Sequence, residues 1–415
     1  MPMHRRRALA VLSGLAAAGL AGCGGEAPLR IAVVWSGWEL SRFREVLDEP
    51  NTIVYSAGDN IAALLRNPVA PAATPDVAIV SRPGLVREKA IRDRLQTIST
   101  AADPPFWPRL LWNENDGSVK GAWFKVAHKS LVWHRQGGPP TQPPASWDSW
   151  VRTCEAQAKC GQPPLAIGAA DGWVLSDWFE NVLVGIDRDT YKRLNDQPAL
   201  WSSESVRHAL GCLARLWSIK NLLPGGGRRA LATQFHESVL DVFRYGRADM
   251  VAAGDFAWPV IDRYTPRPQG EPPPAKHFLF PGHGGRQPPV LVGGDAVVAL
   301  KSSGERGRQL LERLTGNEAT RLGKWAGAGG FLSLNPRYDQ DYPDQLKELA
   351  QQVRGNVEFD LSDQLTGPLA GGDGQGLWRV LTELFASVTV GDEKPDTAVG
   401  RAMNALTALS EAGGS

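Results

Sequence analysis

The chain has no surplus of either charge. Over 415 residues, 45 Lys and Arg stand against 44 Asp and Glu, a net of +1. Without a basic excess there is no electrostatic footprint for a nucleic-acid partner, which needs clustered Lys and Arg to neutralise phosphates. Without an acidic block there is no self-repelling, disordered tail. Cysteine is scarce at four residues, and the seven histidines are scattered. Neither type recurs at ligand spacing, so no metal site is expected. Neither a Gly-x-Ser-x-Gly elbow nor a His-Glu-x-x-His pair occurs, which removes the usual motifs of serine and zinc hydrolases. No catalytic residue, and no cofactor, is expected. After residue 22 no apolar run is long enough to cross a bilayer, which takes about 20 residues. Glycine (45) and proline (31) are plentiful but aperiodic, which excludes a fibrous repeat and indicates a loop-rich globular chain.

What is present starts at the amino end. Arg5-Arg6-Arg7 precede a small and apolar run, Ala8 to Gly22, that closes on Leu20-Ala21-Gly22-Cys23. This resembles a bacterial lipoprotein signal. The resemblance implies that residues 1–22 are a signal peptide and that Cys23 is lipidated. Several acyl chains would then hold the protein at a membrane surface, because one alone binds marginally. Export and anchoring on the outer face of the cytoplasmic membrane follow as expectations. Outside the cell a disulfide is plausible. Cys154 lies in a predicted helix and Cys160 just before its Gly161 stop, so Cys154–Cys160 is the favoured pair, with Cys154–Cys212 as the competitor. Tryptophan is abundant, 15 residues against 6 Tyr. Most indoles fill cores, but a flat apolar face also suits the C–H-rich face of a sugar ring.

The hydrophobic pattern predicts an α/β chain. Leu29–Trp35, Asn51–Ser56 and Asp76–Ser81 read as buried strands alternating with helices that begin at Ser36-Gly37 and Ile61. Such alternation indicates an open, mostly parallel sheet, whose ligands sit at the carboxyl ends of strands. Gly121–Arg135 reads as one long strand passing between lobes, and Val290–Leu300 as a return crossing. Ser146 and Ser203 are placed to cap helices whose apolar residues recur at helical spacing. The chain length beyond Cys23 calls for two lobes.

These segments, taken in order, resemble a family. WSGWELSRF (35–43), PDVAIVSRPGLV (75–86), KVAHKSLVWH (125–134), DGWVLSDWFENVL (171–183), MVAAGDFAW (250–258), VGGDAVVALK (292–301), KWAGAGGFLSLN (324–335) and FDLSD (359–363) are similar to the extracellular solute-binding proteins of bacterial ABC importers, in the maltose and α-glucoside branch. The resemblance implies a two-lobe, Venus-flytrap fold of the type II periplasmic-binding-protein class. Lobe 1 would hold residues 29–130 and 283–330, and lobe 2 residues 131–282 and 331–415. It also implies a monomer that binds a carbohydrate between its lobes, without catalysis, and then engages permease subunits.

A neutral sugar needs charged side chains for paired hydrogen bonds and aromatic rings to stack on. By strand-end position and by the resemblance, the candidate ligand-binding residues of the first lobe are Glu39, Asp59 and Arg82. Those of the second are Trp173, Asp177, Phe256 and Trp258. Asp295 stands on the return crossing after Gly293 and Gly294, and Trp325 and Phe331 complete the set. Lys125 and Lys129 read as solvated, and Trp378 as core. Two other functions compete. One is an exported glycoside hydrolase, which would need a carboxylate pair about 5–10 Å apart. The other is a binder of a phosphorylated polyol such as glycerol-3-phosphate, which would need several cations at the cleft.

Overall fold

The computed structural model describes residues 27–47, 49–67, 74–98, 107, 109–113, 116–285, 290–316, 321–370 and 375–413. The leader and Cys23 lie outside the described residues. The first sheet contains β1 (Leu29–Val33), β2 (Thr52–Ser56), β3 (Val77–Val80), β4 (Ala122–His128), β9 (Leu291–Ala299) and β10 (Glu358–Phe359). Its order is β10-β9-β3-β1-β2, with β4 also paired to β9. The second sheet has the order β6-β7-β5-β8, from Leu165–Ala166, Met250–Ala252, Leu131–Arg135 and Ala275–Leu279. The protein is thus an α/β molecule of two lobes, each with its own sheet.

The strands follow from their residues. In β1 all residues but Arg30 are buried, and β3 is buried throughout, as apolar runs in the interior of a sheet covered on both faces require. β1 pairs in parallel with both β2 and β3. The parallel expectation stops there. β9 enters antiparallel to β3 and β4, and β5 is antiparallel to both β7 and β8, because the chain returns between lobes instead of crossing over within one sheet.

The long strand predicted over 121–135 is two strands. It breaks at Lys129-Ser130, where the chain leaves the first sheet and starts the second. β9 returns at residue 291. A third passage occurs near residue 360: β10 is hydrogen-bonded to β9, and Leu332 bridges to Val126. Residues 331–359 therefore sit with the first sheet, not with the second lobe as expected, because the chain makes one more return than the two long strands reveal.

Helix ends follow their caps. Gly37–Val46 (α1) leaves β1 through the Trp35 corner. Trp147–Lys159 (α2) opens with a reciprocal capping box between Ser146 and Ser149. Ser203 accepts the Val206 amide at the head of Glu204–Trp217 (α4), and Gly172–Ile186 (α3) packs against that helix. The carboxyl-terminal helices, Gly376–Thr389 (α5) and Pro395–Gly413 (α6), pack on α3 and α4 and close the second lobe. Indoles do fill the cores: Trp150 stacks on Trp178 at 5.4 Å and 6°, with Phe280 edge-on to both.

The expected disulfide is absent. Cys154, Cys160 and Cys212 are all unbonded. Cys154 faces the core from within α2, whereas Cys160 stands exposed at its end. Six residues along a regular helix place the two thiols on different faces, and the last turn does not unwind to join them.

Candidate functional site

A cavity of about 270 Å³ lies between the lobes. The first lobe lines it with Val34, Trp35, Glu39, Ser81 and Arg82, from the carboxyl ends of β1 and β3. The crossing strands supply Lys125, Val126, Ala127, Lys129, Gly294 and Asp295 as a floor. The second lobe supplies Trp173, Phe256, Ser362, Asp363 and Trp378. A larger hollow of about 590 Å³ opens on the second lobe between α2 and α4. None of the sequence-predicted ligand-binding residues lines it.

The floor is polar and internally paired. Lys125 is buried, with Nζ 2.5 Å from Glu39 Oε1 and 3.9 Å from Asp295 Oδ2. The same ammonium lies 5.3 Å from the Trp35 ring centre and 5.8 Å from that of Trp325, a cation–π arrangement. Trp35 Nε1 donates to Asp295 Oδ2 at 2.9 Å. Burial acts to lower the Lys125 pKa, but Glu39 and Asp295 outweigh it and hold the ammonium above its ordinary range. Burial pushes the Asp295 carboxyl up to about 6 despite Lys125.

Four residues along, just past the end of β4, Lys129 meets three carboxylates: Asp360 in direct contact, Asp177 at 3.4 Å and Asp363 at 3.8 Å. Burial raises Asp177 to about 7 even against Lys129. Neighbouring Asp255 is fully buried. Its Oδ1 accepts the His128 amide at 2.7 Å, its Oδ2 has no hydrogen-bond partner, and burial lifts it to about 7.

The wall opposite the floor is aromatic. Trp173 and Phe256 meet edge to face at 5.7 Å, each with part of its surface exposed. Trp378 touches the head of α3 from the other side, where the Cβ of any residue replacing Gly172 would come within 2.8 Å of the Trp378 Cβ.

Glu39, Arg82, Trp173, Phe256 and Asp295 are brought together as expected. The side chain of Asp59 lies outside what the structure describes. Asp177 is one residue deep, in the Lys129 cluster. Trp258, Trp325 and Phe331 do not line the cavity. Trp258 is buried 6.0 Å from Trp133. Trp325 packs on Trp35 and Phe331, and Phe331 also packs on Phe124. These three rings belong to the core because each is covered on both faces. Lys125, Lys129, Asp363 and Trp378 were not expected at the site. The KVAHKSLVWH block holds both lysines and the FDLSD block holds Asp363, but neither was quoted above with a ligand role for them.

The fold is the two-lobe fold of periplasmic solute-binding proteins, with its cavity between the lobes. No protein-family model matches the chain. It is similar to the osmoprotective compounds-binding protein GgtB of Synechocystis sp., with 24% identity over 348 residues, 77% of this chain and 79% of that protein. It is also similar to the alpha-glucosides-binding periplasmic protein AglE of Rhizobium meliloti, with 24% identity over 213 residues, 46% of each. Among solved structures, an ABC transporter solute-binding protein of Thermotoga lettingae bound with alpha-D-tagatose aligns over 93% of this chain and 100% of its own, with TM-score 0.67 and 17% identity. One from Agrobacterium vitis with bound D-mannitol aligns over 94% and 99%, with TM-score 0.66 and 15% identity.

Proposed function

We propose that this chain is the exported receptor of an ABC importer and captures a small neutral carbohydrate or polyol between its lobes without altering it. The observation that carries the reading is the pairing of an aromatic wall (Trp173, Phe256, Trp378) with an ion-paired floor (Glu39, Lys125, Asp295) around one interlobe cavity. Rings offer a face to the C–H side of a pyranose, and charged groups give the stronger hydrogen bonds to its hydroxyls. A volume of about 270 Å³ is at the small end for ligand sites, which supports one or two rings over a longer chain. The relatives' binding of osmoprotective compounds, alpha-glucosides and polyols supports the same class.

The competing functions fit less well. A retaining or inverting hydrolase needs one carboxylate free and one protonated across the scissile bond. In this cavity a single ammonium faces both Glu39 and Asp295. A phosphorylated ligand needs unspent cations, yet Lys125 and Lys129 are between them surrounded by five carboxylates. Cys23 supplies the lipid anchor in this reading, the permease subunits are the protein partners, and the receptor is a monomer.

The experiment is calorimetric titration with D-glucose, maltose, trehalose, D-galactose and D-mannitol, followed by recovery of the ligand. Saturable binding with the ligand returned intact is expected. Turnover of maltose or trehalose would refute the receptor reading, and silence across the panel would refute the carbohydrate class.

A further inference from the structure

Three chain segments join the lobes, and one side chain touches the region where all three pass. The Lys129 amide donates to Leu291 O at 2.8 Å, so the first crossing is tied to the start of the second. Its carbonyl accepts from Asn181 Nδ2 at 3.2 Å, which ties it to α3 in the second lobe. Its ammonium contacts Asp360 and lies 3.8 Å from Asp363, both on the third passage, and 3.4 Å from Asp177 on α3. The stem runs over Gly293 so closely that an added Cβ there would lie 2.8 Å from Lys129 Cε.

The third passage is itself fastened to the second lobe. Glu180 of α3 accepts the amides of Leu361 at 2.5 Å and Ser362 at 3.2 Å, and Tyr191 donates to it at 2.7 Å. Asp360 is held in place because its Oδ1 accepts from Ser362 Oγ at 2.7 Å and from the Asp363 amide at 2.9 Å. Lys129 also lines the ligand cavity.

We infer that Lys129 is the pin of the interlobe hinge: its ammonium binds the first and third crossings to α3, fixes the angle at which the empty lobes stand, and carries contact in the cavity to all three crossings at once. A flexible lysine would leave the three strands to bend independently. Clamped by carboxylates on two segments, it makes them bend together. The other buried cation of the floor, Lys125, pairs with Glu39 and Asp295 on the first-lobe side and does not reach the third passage.

The inference depends on the two-lobed fold and not on the ligand's identity, so its test uses the empty protein. Ile53 in the first lobe and Tyr245 in the second are 50% and 54% exposed. Azide-bearing residues in their place take a donor and an acceptor dye for single-molecule energy transfer, leaving the cysteines untouched. In the unliganded parent a single narrow efficiency peak is expected. Lys129→Met, which keeps the stem and removes the charge, is expected to broaden and shift that peak, and Lys129→Arg to restore it. A merely structural role would lower the melting temperature in both variants without changing the peak. Should Lys129→Met fail to fold by circular dichroism, Asp360→Asn, which retains an oxygen for the Asp363 amide, is read by the same criterion. A peak of unchanged position and width in the folded variant overturns the inference. Silence of the sugar panel would count only against the proposed ligand class.

Discussion

Asp255 allows a test in which the structure fixes sign, size and window. It is fully buried, one oxygen accepts the His128 amide, and the other has no hydrogen-bond partner. Burial lifts its carboxyl from 3.8 to about 7, although the His128 bond and Lys125 pull the other way. The folded pKa therefore lies above the unfolded one. Below about pH 4 both states are protonated and the contribution is fully present. Between about 4 and 7 the folded protein keeps a proton that the unfolded chain has released, so stability falls by about 1.4 kcal/mol per pH unit as pH rises. Above 7 the loss is complete. Asp255→Asn is near-isosteric and cannot titrate. From pH 5 to pH 7 the variant should gain about 2.3 kcal/mol on the parent. At roughly 2.1 cal/mol/K of unfolding entropy per residue, a chain of this size has about 0.9 kcal/mol/K, so the gain corresponds to about 3 °C. The assay is thermal unfolding followed by intrinsic tryptophan fluorescence at pH 5, 6 and 7. Only the difference between the two proteins is read, so buried groups common to both, such as His128 with its pKa near 4, largely cancel. Parallel melting curves across that range would show that Asp255 is ionised in the fold and would refute the reasoning.

Trp173→Ala or Phe256→Ala should weaken ligand binding by about 1–3 kcal/mol, by analogy with aromatic stacking of nucleobases, with little loss of melting temperature. Trp258→Ala should instead cost about 3–5 kcal/mol of stability; calorimetry and thermal unfolding separate the two kinds of ring, and equal effects would remove the distinction between wall and core. Ellman's reagent should titrate Cys160 alone among the three described cysteines in the native protein lacking residues 1–23, and three thiols after denaturation; recovery of only one thiol would mean a disulfide has formed. Gly293→Ala should lower the melting temperature, because its Cβ would stand 2.8 Å from Lys129 Cε and 2.9 Å from Asp363 Oδ2, an overpacking worth about 1–3 kcal/mol; an unchanged melting point would show that both side chains move aside.

What could be read from the residues was local. β1, β3 and β9 lie within one or two residues of their apolar runs, and Ser146 and Ser203 begin the helices they were expected to begin. The strand-end rule found Glu39 and Arg82 because Arg82 stands two residues past β3 and Glu39 lies in the first turn of the helix that follows β1. Lys125 and Lys129 escaped for a different reason. Alternation along a strand marks which side chains share a face but not whether that face meets water, and these lysines face a cavity. Their neutralising partners lie far away in sequence: Glu39 is 86 residues from Lys125 and Asp360 is 231 from Lys129. Charge compensation over such separations leaves no periodic trace, so a buried lysine looks like a solvated one. The third crossing was hidden in the same way. β10 has two residues and is recognisable as a strand only once β9 is beside it.

Of the five aromatic assignments, those of Trp258, Trp325 and Phe331 fail for a related reason, and the failure shows how the site is built. Phe256 and Trp258 stand two residues apart, yet one faces the cavity and the other the core. Gly254 precedes a single 3-10 turn, Asp255–Ala257, after which the chain starts the helix Trp258–Tyr264. That turn rotates successive side chains by about 120°, so Phe256 points at Trp173 while Trp258 is driven against Trp133. The intervening turn also carries Asp255, whose carboxyl Oδ1 accepts the His128 amide at the first crossing. The element that presents a ring to the cavity is therefore fastened to the hinge by its neighbouring residue. On the proposed function, a ligand in contact with Phe256 would bear on the same turn that holds the crossing strand through Asp255.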